Sequence, residues 1–148
     1  YWVAGYGYKG DFAVQPDVRE MALANFANVV PIAQAAWKRM LLEDGGNFVT
    51  VSSTTGERPR EDEAVYAATK HAQVGFTRSL GLEGERLRTR AKVALFLPGG
   101  MRTPFWDGNK PENYDEFLDP ARVAEEIVGR TLTQEEYYQE KTFERGSL

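Results

Sequence analysis

Three polar residues within 52–70 have the types and spacing needed for acid–base chemistry: Ser53, Tyr66 and Lys70. Tyr66 and Lys70 are four residues apart in a segment predicted to be helical, so their side chains project from one face. A free tyrosine has a pKa of about 10, too high for a base at neutral pH, but a nearby ammonium group favours the phenolate. Tyr66 could then exchange a proton with an alcohol or ketone oxygen, and Ser53 could donate a hydrogen bond to that oxygen.

The same pair has a simpler interpretation. Tyr and Lys at this spacing on a helix are usually a surface pair whose apolar stems lie along the helix. The ends of two predicted strands favour the chemical interpretation. Ser53 follows one strand and Pro98-Gly99 ends the next, and ligands of open α/β sheets gather outside the carboxyl ends of the strands.

Apolar strands alternate with long helices along the chain. Strands are predicted at 1–4, 47–52, 91–97 and 141–145, and helices at 17–42, at 63–87 and from Pro120 onward. Asp119-Pro120 opens the last helix as an N-cap followed by proline at N1. The alternation predicts a single α/β domain over 1–148, with a three-layer, mostly parallel sheet, helices on both faces and right-handed crossovers.

Composition excludes several classes of protein. The 148 residues are 42% hydrophobic and 27% charged, with a net charge of −4, which are ordinary globular values. Acidic and basic residues are interspersed without a basic stripe, so no nucleic-acid partner is expected. No apolar run approaches the roughly 18–20 residues of a membrane span. The absence of cysteine and the single histidine, His71, argue against a metal site and fit a cytoplasmic protein.

Four motifs occur in the order and spacing of the short-chain dehydrogenase/reductase family, which the chain resembles over essentially its whole length. Residues 3–5 (VAG) resemble the Asn-Asn-Ala-Gly end of the family's fourth strand, and residues 24–26 (ANF) resemble its Val-Asn-Leu helix motif. Residues 51–53 (VSS) followed by 66–70 (YAATK) resemble its active-site Ser and Tyr-x-x-x-Lys. Residues 98–104 (PGGMRTP) resemble its Pro-Gly-x-x-x-Thr nicotinamide segment.

The resemblance implies a Rossmann-like fold, of which this chain would be the C-terminal half of a doubly wound sheet, and NAD or NADP as cofactor. It implies that Tyr66 is the acid/base and that Lys70 lowers the pKa of Tyr66 and binds the nicotinamide ribose. Ser53 would orient the substrate oxygen, and Asn25 would help to hold a water in a proton relay behind Lys70. The implied cofactor-binding residues are Ala4, Gly5, Tyr66, Lys70, Pro98, Gly99, Met101 and Thr103. The implied substrate, a small alcohol or carbonyl compound, would contact Thr55, Phe105 and Trp106.

Pro31 lies six residues after Asn25, within the predicted helix 17–42. A proline in mid-helix removes a hydrogen bond and leaves the carbonyl of Ala27 without its usual donor. The resulting distortion could hold the relay water. A kink that only improves packing is equally consistent with the sequence.

Two segments near these motifs have open or structural interpretations. The aromatic residues of the loop at 101–118 are Phe105, Trp106, Tyr114 and Phe117. This loop could be a lid over the substrate, or its aromatic rings could serve only to pack an ordered loop. The acidic cluster at 61–63 is interpreted as the start of a helix, complementing its dipole. His71 is interpreted as structural.

Two functions from different classes follow. The first is an NAD(P)-dependent oxidoreductase that interconverts a secondary alcohol and a ketone. The family's Gly-rich phosphate loop is missing, and residues 5–7 (GYG) are not expected to replace it. We therefore expect a truncated enzyme or a piece of a longer one. The second is a non-catalytic module that dimerises, because the helices at 17–42 and 63–87 carry more apolar surface than one sheet face needs. The resemblance implies a homodimer or homotetramer formed through these helices.

Overall fold

Helices and strands alternate along the computed structural model, which describes residues 1–108 and 110–148. Its elements are α1 (Val18–Ala22), a π-helical turn (Leu23–Ala27), α2 (Val30–Glu43), β1 (Asn47–Val51), α3 (Ala64–Leu87), β2 (Lys92–Pro98), α4 (Pro120–Thr133) and β3 (Tyr138–Phe143). The Asp119 side chain caps α4 by accepting from the N–H of Ala121 at 2.9 Å, as the Asp-Pro pair predicts. None of the helices in the described part of the chain is long and apolar enough to cross a membrane.

The three strands form one parallel sheet in the order β1-β2-β3. At the centre, Ala94 of β2 pairs with Val49 of β1 on one side and with Gln139 of β3 on the other. Since parallel neighbours cannot be joined by a tight turn, α3 and α4 serve as the crossovers between them. The predicted α/β, Rossmann-like arrangement of a parallel sheet with flanking helices is confirmed.

The side chains of β2 alternate between two apolar layers. Leu95 and Leu97 pack with Val74 of α3 on one face. Ala94 and Phe96 pack on the other face, in a cluster that also contains the α4 residues Val123 and Ile127. Residues 93–97 are fully buried, which is why this strand is a nearly continuous apolar run in the sequence.

The hand of one crossover differs from the prediction. Both α3 and α4 connect neighbouring strands, and both connections step in the same direction across the sheet. The two helices nevertheless pack on opposite faces, so the two crossovers have opposite hands. The expectation that every crossover is right-handed is therefore wrong for one of them. Crossovers are usually right-handed because a twisted strand that continues directly into a helix packs back onto the sheet only with that hand. The connection at 99–119 is long, so α4 does not continue directly from β2 and is not held to that hand.

The strand predicted at 1–4 is reduced to a single bridge. Trp2 pairs in parallel with Thr50; its N–H donates to the Val49 carbonyl at 2.7 Å, and its carbonyl accepts from Val51 at 2.9 Å. Gly5 follows with a φ of 156°, a backbone conformation that ends the extended pairing. The beginning of the chain therefore lies along the edge of β1 opposite to β2.

Two further boundaries differ from the sequence-based expectations. The helix predicted at 17–42 is divided by the π-helical turn. The last strand starts at Tyr138 rather than at residue 141, because Tyr138 pairs with Val93 in the sheet. Its ring also fills the space left open by Gly81 on α3, where an added Cβ would lie 2.6 Å from it.

Replacing Phe143 with alanine should destabilise the fold strongly. Phe143 is fully buried and its ring stacks on Phe96 with centroids 6.0 Å apart. Deleting such a ring typically costs about 3–5 kcal/mol of unfolding free energy. The control is Phe12→Ala, because Phe12 is 61% exposed and surface changes usually stay within about 0.5 kcal/mol. Urea unfolding followed by circular dichroism measures both, and equal effects of the two variants would contradict this packing.

Candidate active site

A small cavity opens where β1 and β2 end beside the first turns of α3. Its volume is about 110 Å³. The sequence-predicted site residues that line it are Ser53, Thr55, Tyr66, Pro98, Gly99, Met101, Thr103, Phe105 and Trp106. Four other predicted residues lie outside this lining: Ala4, Gly5, Asn25 and Lys70. Of these, Gly5, Asn25 and Lys70 contact one another's side chains or neighbours directly behind the cavity.

Ser53 occupies the turn immediately after β1 and is buried. Its Oγ accepts a hydrogen bond from the N–H of Thr55 at 3.1 Å. This bond uses one lone pair of the oxygen, and the hydroxyl proton can be donated to another oxygen. The preceding Ser52 donates its own hydroxyl to the carbonyl of Lys70 at 3.2 Å, which ties the end of β1 to α3.

The phenol of Tyr66 borders the cavity and keeps its proton more firmly than a free tyrosine. Burial raises the pKa of Tyr66 to about 12. The Ser53 hydroxyl and the Arg60 guanidinium act in the opposite direction, while the Glu63 carboxylate raises this pKa further. At neutral pH the group is therefore a proton donor rather than a base.

Lys70 lies one helical turn behind Tyr66 and is only 4% exposed. Its Nζ is 5.6 Å from the centroid of the Tyr66 ring and donates to Oε1 of Gln73 at 3.1 Å. Burial lowers the pKa of Lys70 to about 8, because the charged form loses its hydration. The ammonium form still predominates at neutral pH.

Asn25 is fully buried in the π-helical turn. Its Oδ1 accepts from the N–H of Tyr6 at 2.9 Å, and its Nδ2 donates to the Tyr6 carbonyl at 2.8 Å and to Oγ1 of Thr69 at 3.1 Å. The side chain thus fastens the beginning of the chain to α3. The helix distortion predicted near Asn25 is present, while Pro31 itself lies in the first turn of α2. The role of Asn25 in holding a water stays a prediction.

Gly5 passes close to this group. A Cβ at this position would lie 3.1 Å from Oδ1 of Asn25 and 3.7 Å from Nζ of Lys70. The glycines at 5, 7 and 10 also have the G-x-G-x-x-G spacing of a dinucleotide fingerprint, which the sequence-based expectation overlooked. That fingerprint requires a helix N-terminus directly after the glycines. Here α1 begins only at Val18, so the required context is missing.

The loop after β2 is held together by aromatic contacts and also borders the cavity. The Phe105 ring lies 5.7 Å from the Tyr66 ring and 5.1 Å from the Trp106 ring, between centroids. Nε1 of Trp106 donates to the carbonyl of Met101 at 3.0 Å. Phe105 also faces the beginning of the chain, since a Cβ on Gly7 would lie 2.4 Å from its ring. Both predicted roles of the loop, packing and substrate contact, fit these positions.

Several site residues were not identified from the sequence, and three of them have charged or amide side chains. Glu63 was interpreted as part of a helix start, yet its buried side chain lines the cavity and accepts from Oγ1 of Thr55 at 3.3 Å. Arg60 lines the same cavity and donates to Oγ1 of Thr54 at 3.2 Å. Gln73 contacts Lys70 from behind. Glu63 lies three residues before Tyr66 and Gln73 three after Lys70, so helical spacing from the predicted pair was the available signal.

Comparisons with known proteins show which family the chain is similar to. A family model described as short chain dehydrogenase matches residues 4–113. The chain is 30% identical over 90 residues to 15-hydroxyprostaglandin dehydrogenase (NAD(+)) of Rattus norvegicus, covering 58% of this chain and 34% of that protein. It is 25% identical over 118 residues to carbonyl reductase family member 4 of Xenopus laevis, covering 76% of this chain and 49% of the relative. The chain therefore spans about a third to a half of the length of these relatives.

Solved structures show the same fold. The 3-ketoacyl-(acyl-carrier-protein) reductase from Brucella melitensis, complexed with NADH, superposes with a TM-score of 0.80 at 21% identity, over 97% of this chain and 64% of that one. A putative short chain dehydrogenase from Escherichia coli CFT073, complexed with NADPH, gives a TM-score of 0.77 at 22% identity, over 97% and 60%. Since the family model covers well over half of the 148 residues, the chain belongs to the short-chain dehydrogenase/reductase family.

Proposed function

We propose that this chain forms the catalytic half of an NAD(P)-dependent oxidoreductase that interconverts a secondary alcohol and a ketone, with Tyr66 as the acid/base. The observation that carries the proposal is the cavity in which Tyr66 and Ser53 meet, with the Lys70 ammonium one helical turn behind. Named relatives support the reaction class, because they include an NAD(+)-dependent dehydrogenase and a carbonyl reductase family member. Solved structures of the same fold contain NADH or NADPH.

The residues around the cavity fit the nicotinamide end of such a cofactor. Two glycines, Gly99 and Gly100, leave backbone rather than side chain at the cavity wall; a Cβ on Gly100 would lie 2.7 Å from the Phe117 ring. Met101 and Thr103 would hold the carboxamide, and Lys70 with Tyr66 would hold the ribose. When bound, the nicotinamide supplies or accepts a hydride at the substrate carbon.

The chain's own residues would handle the proton and the substrate oxygen. The Ser53 hydroxyl, whose oxygen already accepts from Thr55, would donate to the carbonyl oxygen and fix its position. Tyr66 would donate its proton to that oxygen during reduction. Its pKa of about 12 keeps the phenol protonated at neutral pH, so reduction of a ketone needs no prior change in charge.

Oxidation of an alcohol requires Tyr66 in its deprotonated form, which burial disfavours. Bringing the pKa of Tyr66 from about 12 to near neutrality requires about 7 kcal/mol of additional phenolate stabilisation. The Lys70 ammonium and a positively charged nicotinamide are the two sources available to this mechanism. Phe105 and Trp106, which border the cavity, and Thr55 would shape the space for the substrate.

Tyr66→Phe in the full-length protein that carries this chain should lower kcat by about 10²- to 10⁴-fold with NADH or NADPH, because it removes the proton donor. The substitution keeps the ring and its contact with Phe105. The matched control is Tyr137→Phe, which removes the hydroxyl of a tyrosine that is 38% exposed. Turnover of the Tyr66 variant at the wild-type rate would show that the assigned mechanism is wrong.

Lys70 should make the stability of the fold depend on pH. Its pKa is about 8 in the folded chain and 10.5 ordinarily. Between these values the unfolded chain binds a proton that the folded chain lacks, so the free energy of unfolding rises with pH. Lys70→Met should remove this rise, which amounts to about 3 kcal/mol. Urea unfolding from pH 7 to 11 measures it as the difference between wild type and variant.

The control for this experiment is Lys38→Met, because Lys38 is exposed on α2. This variant measures what the loss of an exposed lysine does to the free energy of unfolding over the same pH range. A flat difference curve for Lys70→Met would contradict the burial of its charge.

A second copy of the chain is the proposed partner of α2 and α3. Ile32 on α2 is 68% exposed and Leu82 on α3 is 70% exposed. The two helices are joined by Nε1 of Trp37, which donates to Oε1 of Glu83 at 2.8 Å. Exposed apolar side chains on neighbouring helices favour a contact between copies, which a catalytic protein and a non-catalytic module would share.

Ile32→Glu together with Leu82→Glu should convert the dimer or tetramer into a monomer, because the contact would have to bury two carboxylates. Sedimentation equilibrium measures the change. The control is Leu132→Glu on α4, at a residue that is 77% exposed. A wild-type chain that sediments as a monomer, or a double variant that remains associated, would rule out this surface.

A further inference from the structure

Gln73 is a fully buried amide that connects the catalytic lysine to a different part of the fold. Its Oε1 accepts from Nζ of Lys70 at 3.1 Å, and its Nε2 donates to the backbone carbonyl of Asn25 at 2.8 Å. The orientation of the amide follows from its partners, because an ammonium group can only donate and a carbonyl can only accept. Both ends of the side chain are therefore satisfied.

The polarity of this position requires a reason. The buried face of α3 around it carries the apolar residues Ala67, Val74 and Leu80. It also carries Thr69 and Thr77, whose hydroxyls donate to carbonyls of α3 itself, whereas the Gln73 side chain reaches beyond its own helix. A glutamine there loses rotamer freedom and must keep its amide hydrogen-bonded, whereas an apolar side chain of similar volume would need neither. The Lys70 ammonium supplies the reason, since a buried charge needs an acceptor at hydrogen-bonding distance.

The π-helical turn provides the other anchor. Within it the N–H of Asn28 reaches back to the Leu23 carbonyl at 2.9 Å, and the N–H of Val29 donates to the Phe26 carbonyl at 3.0 Å. This register leaves the Asn25 carbonyl to accept from Gln73. The side chain of the same Asn25 holds the backbone of Tyr6, so Gln73 links Lys70 to the turn that also fixes the beginning of the chain.

We propose that Gln73 is a positioning residue, whose amide anchors the Lys70 ammonium to the backbone of Asn25 and thereby holds it behind the ring of Tyr66. The Gln73 side chain already joins Lys70 to the Asn25 carbonyl, and these are the two residues that the predicted relay water would connect. A primary amide does not pass protons as a water does, so protons reaching Lys70 would not continue to Asn25. The catalytic consequence rests on the proposed function, whereas the effect on Lys70 itself does not.

The test measures the pKa of Lys70 directly, by NMR titration of the chain with ¹³C-labelled lysine, assigned from the signal missing in Lys70→Met. Gln73→Met keeps the volume but removes the acceptor, and should lower the pKa of Lys70 by about 1 to 2. Gln73→Glu places a carboxylate at the same distance and should raise it. Opposite shifts from the two variants are a signature that a purely structural role would not produce.

The matched control is Gln134→Met. Gln134 is also a buried amide, and its Nε2 donates to the carbonyls of Val93 and Glu136, both at 2.9 Å. Removing it should leave the pKa of Lys70 unchanged. If Gln73→Met does not fold, Gln73→Asn replaces it, because the shorter amide cannot span both partners and should also lower this pKa.

An unchanged pKa of Lys70 in the folded Gln73 variants would overturn the proposal. The titration requires neither cofactor nor turnover, so its failure is separate from a failure of the oxidoreductase assignment. In the full-length protein, Gln73→Met should lower kcat at least 10-fold with little change in the KM of the carbonyl substrate, while Gln134→Met should leave both values unchanged. A shifted pKa of Lys70 without a loss of kcat would support the anchoring of Lys70 by Gln73 and would rule out its role in catalysis.

Discussion

The burial of a lysine ammonium one turn behind a tyrosine is the constraint on which the surrounding structure depends. Removing a charge from water costs several kcal/mol unless hydrogen bonds replace the lost hydration. Here Lys70 is 4% exposed, and its neighbours are arranged accordingly. Gln73 accepts from its Nζ, Ser52 ties its backbone carbonyl to the end of β1, and Gly5 brings the beginning of the chain close without adding a Cβ.

The same burial acts on both members of the pair, but in opposite directions. It raises the pKa of Tyr66 to about 12 and lowers the pKa of Lys70 to about 8, because in each case the neutral form is favoured in a poorly hydrated site. A phenol and an ammonium group, each carrying its proton at neutral pH, form a pair suited to giving a proton to a carbonyl oxygen. The field of the Lys70 charge at the Tyr66 ring is strong because little water is present to screen it.

Much of this arrangement can be predicted from the sequence, because it follows from periodicity. The apolar run that forms β2, the Asp-Pro start of α4 and the four-residue spacing of Tyr66 and Lys70 all appear in the structure at or near their predicted positions. The hand of a crossover cannot be read in this way. It depends on which face of the sheet α4 covers, and the long connection after β2 leaves both faces accessible.

Residues that act through shape or through buried hydrogen bonds were also beyond the sequence patterns. In the sequence, Glu63 looks like one of the acidic residues typical of the start of a helix. Its carboxylate reaches Thr55 only because of the turn after β1. Gln73 resembles an ordinary helical polar residue until the π-helical turn presents the Asn25 carbonyl to it. Conversely, the glycines at 5, 7 and 10 match a known spacing without the helix that would give it meaning. Spacing along one element predicts which side chains share a face, whereas the partner across the interface is decided by packing between elements. The pairing of Tyr66 with Lys70 belongs to the first kind of information, and the groups that contact the pair belong to the second.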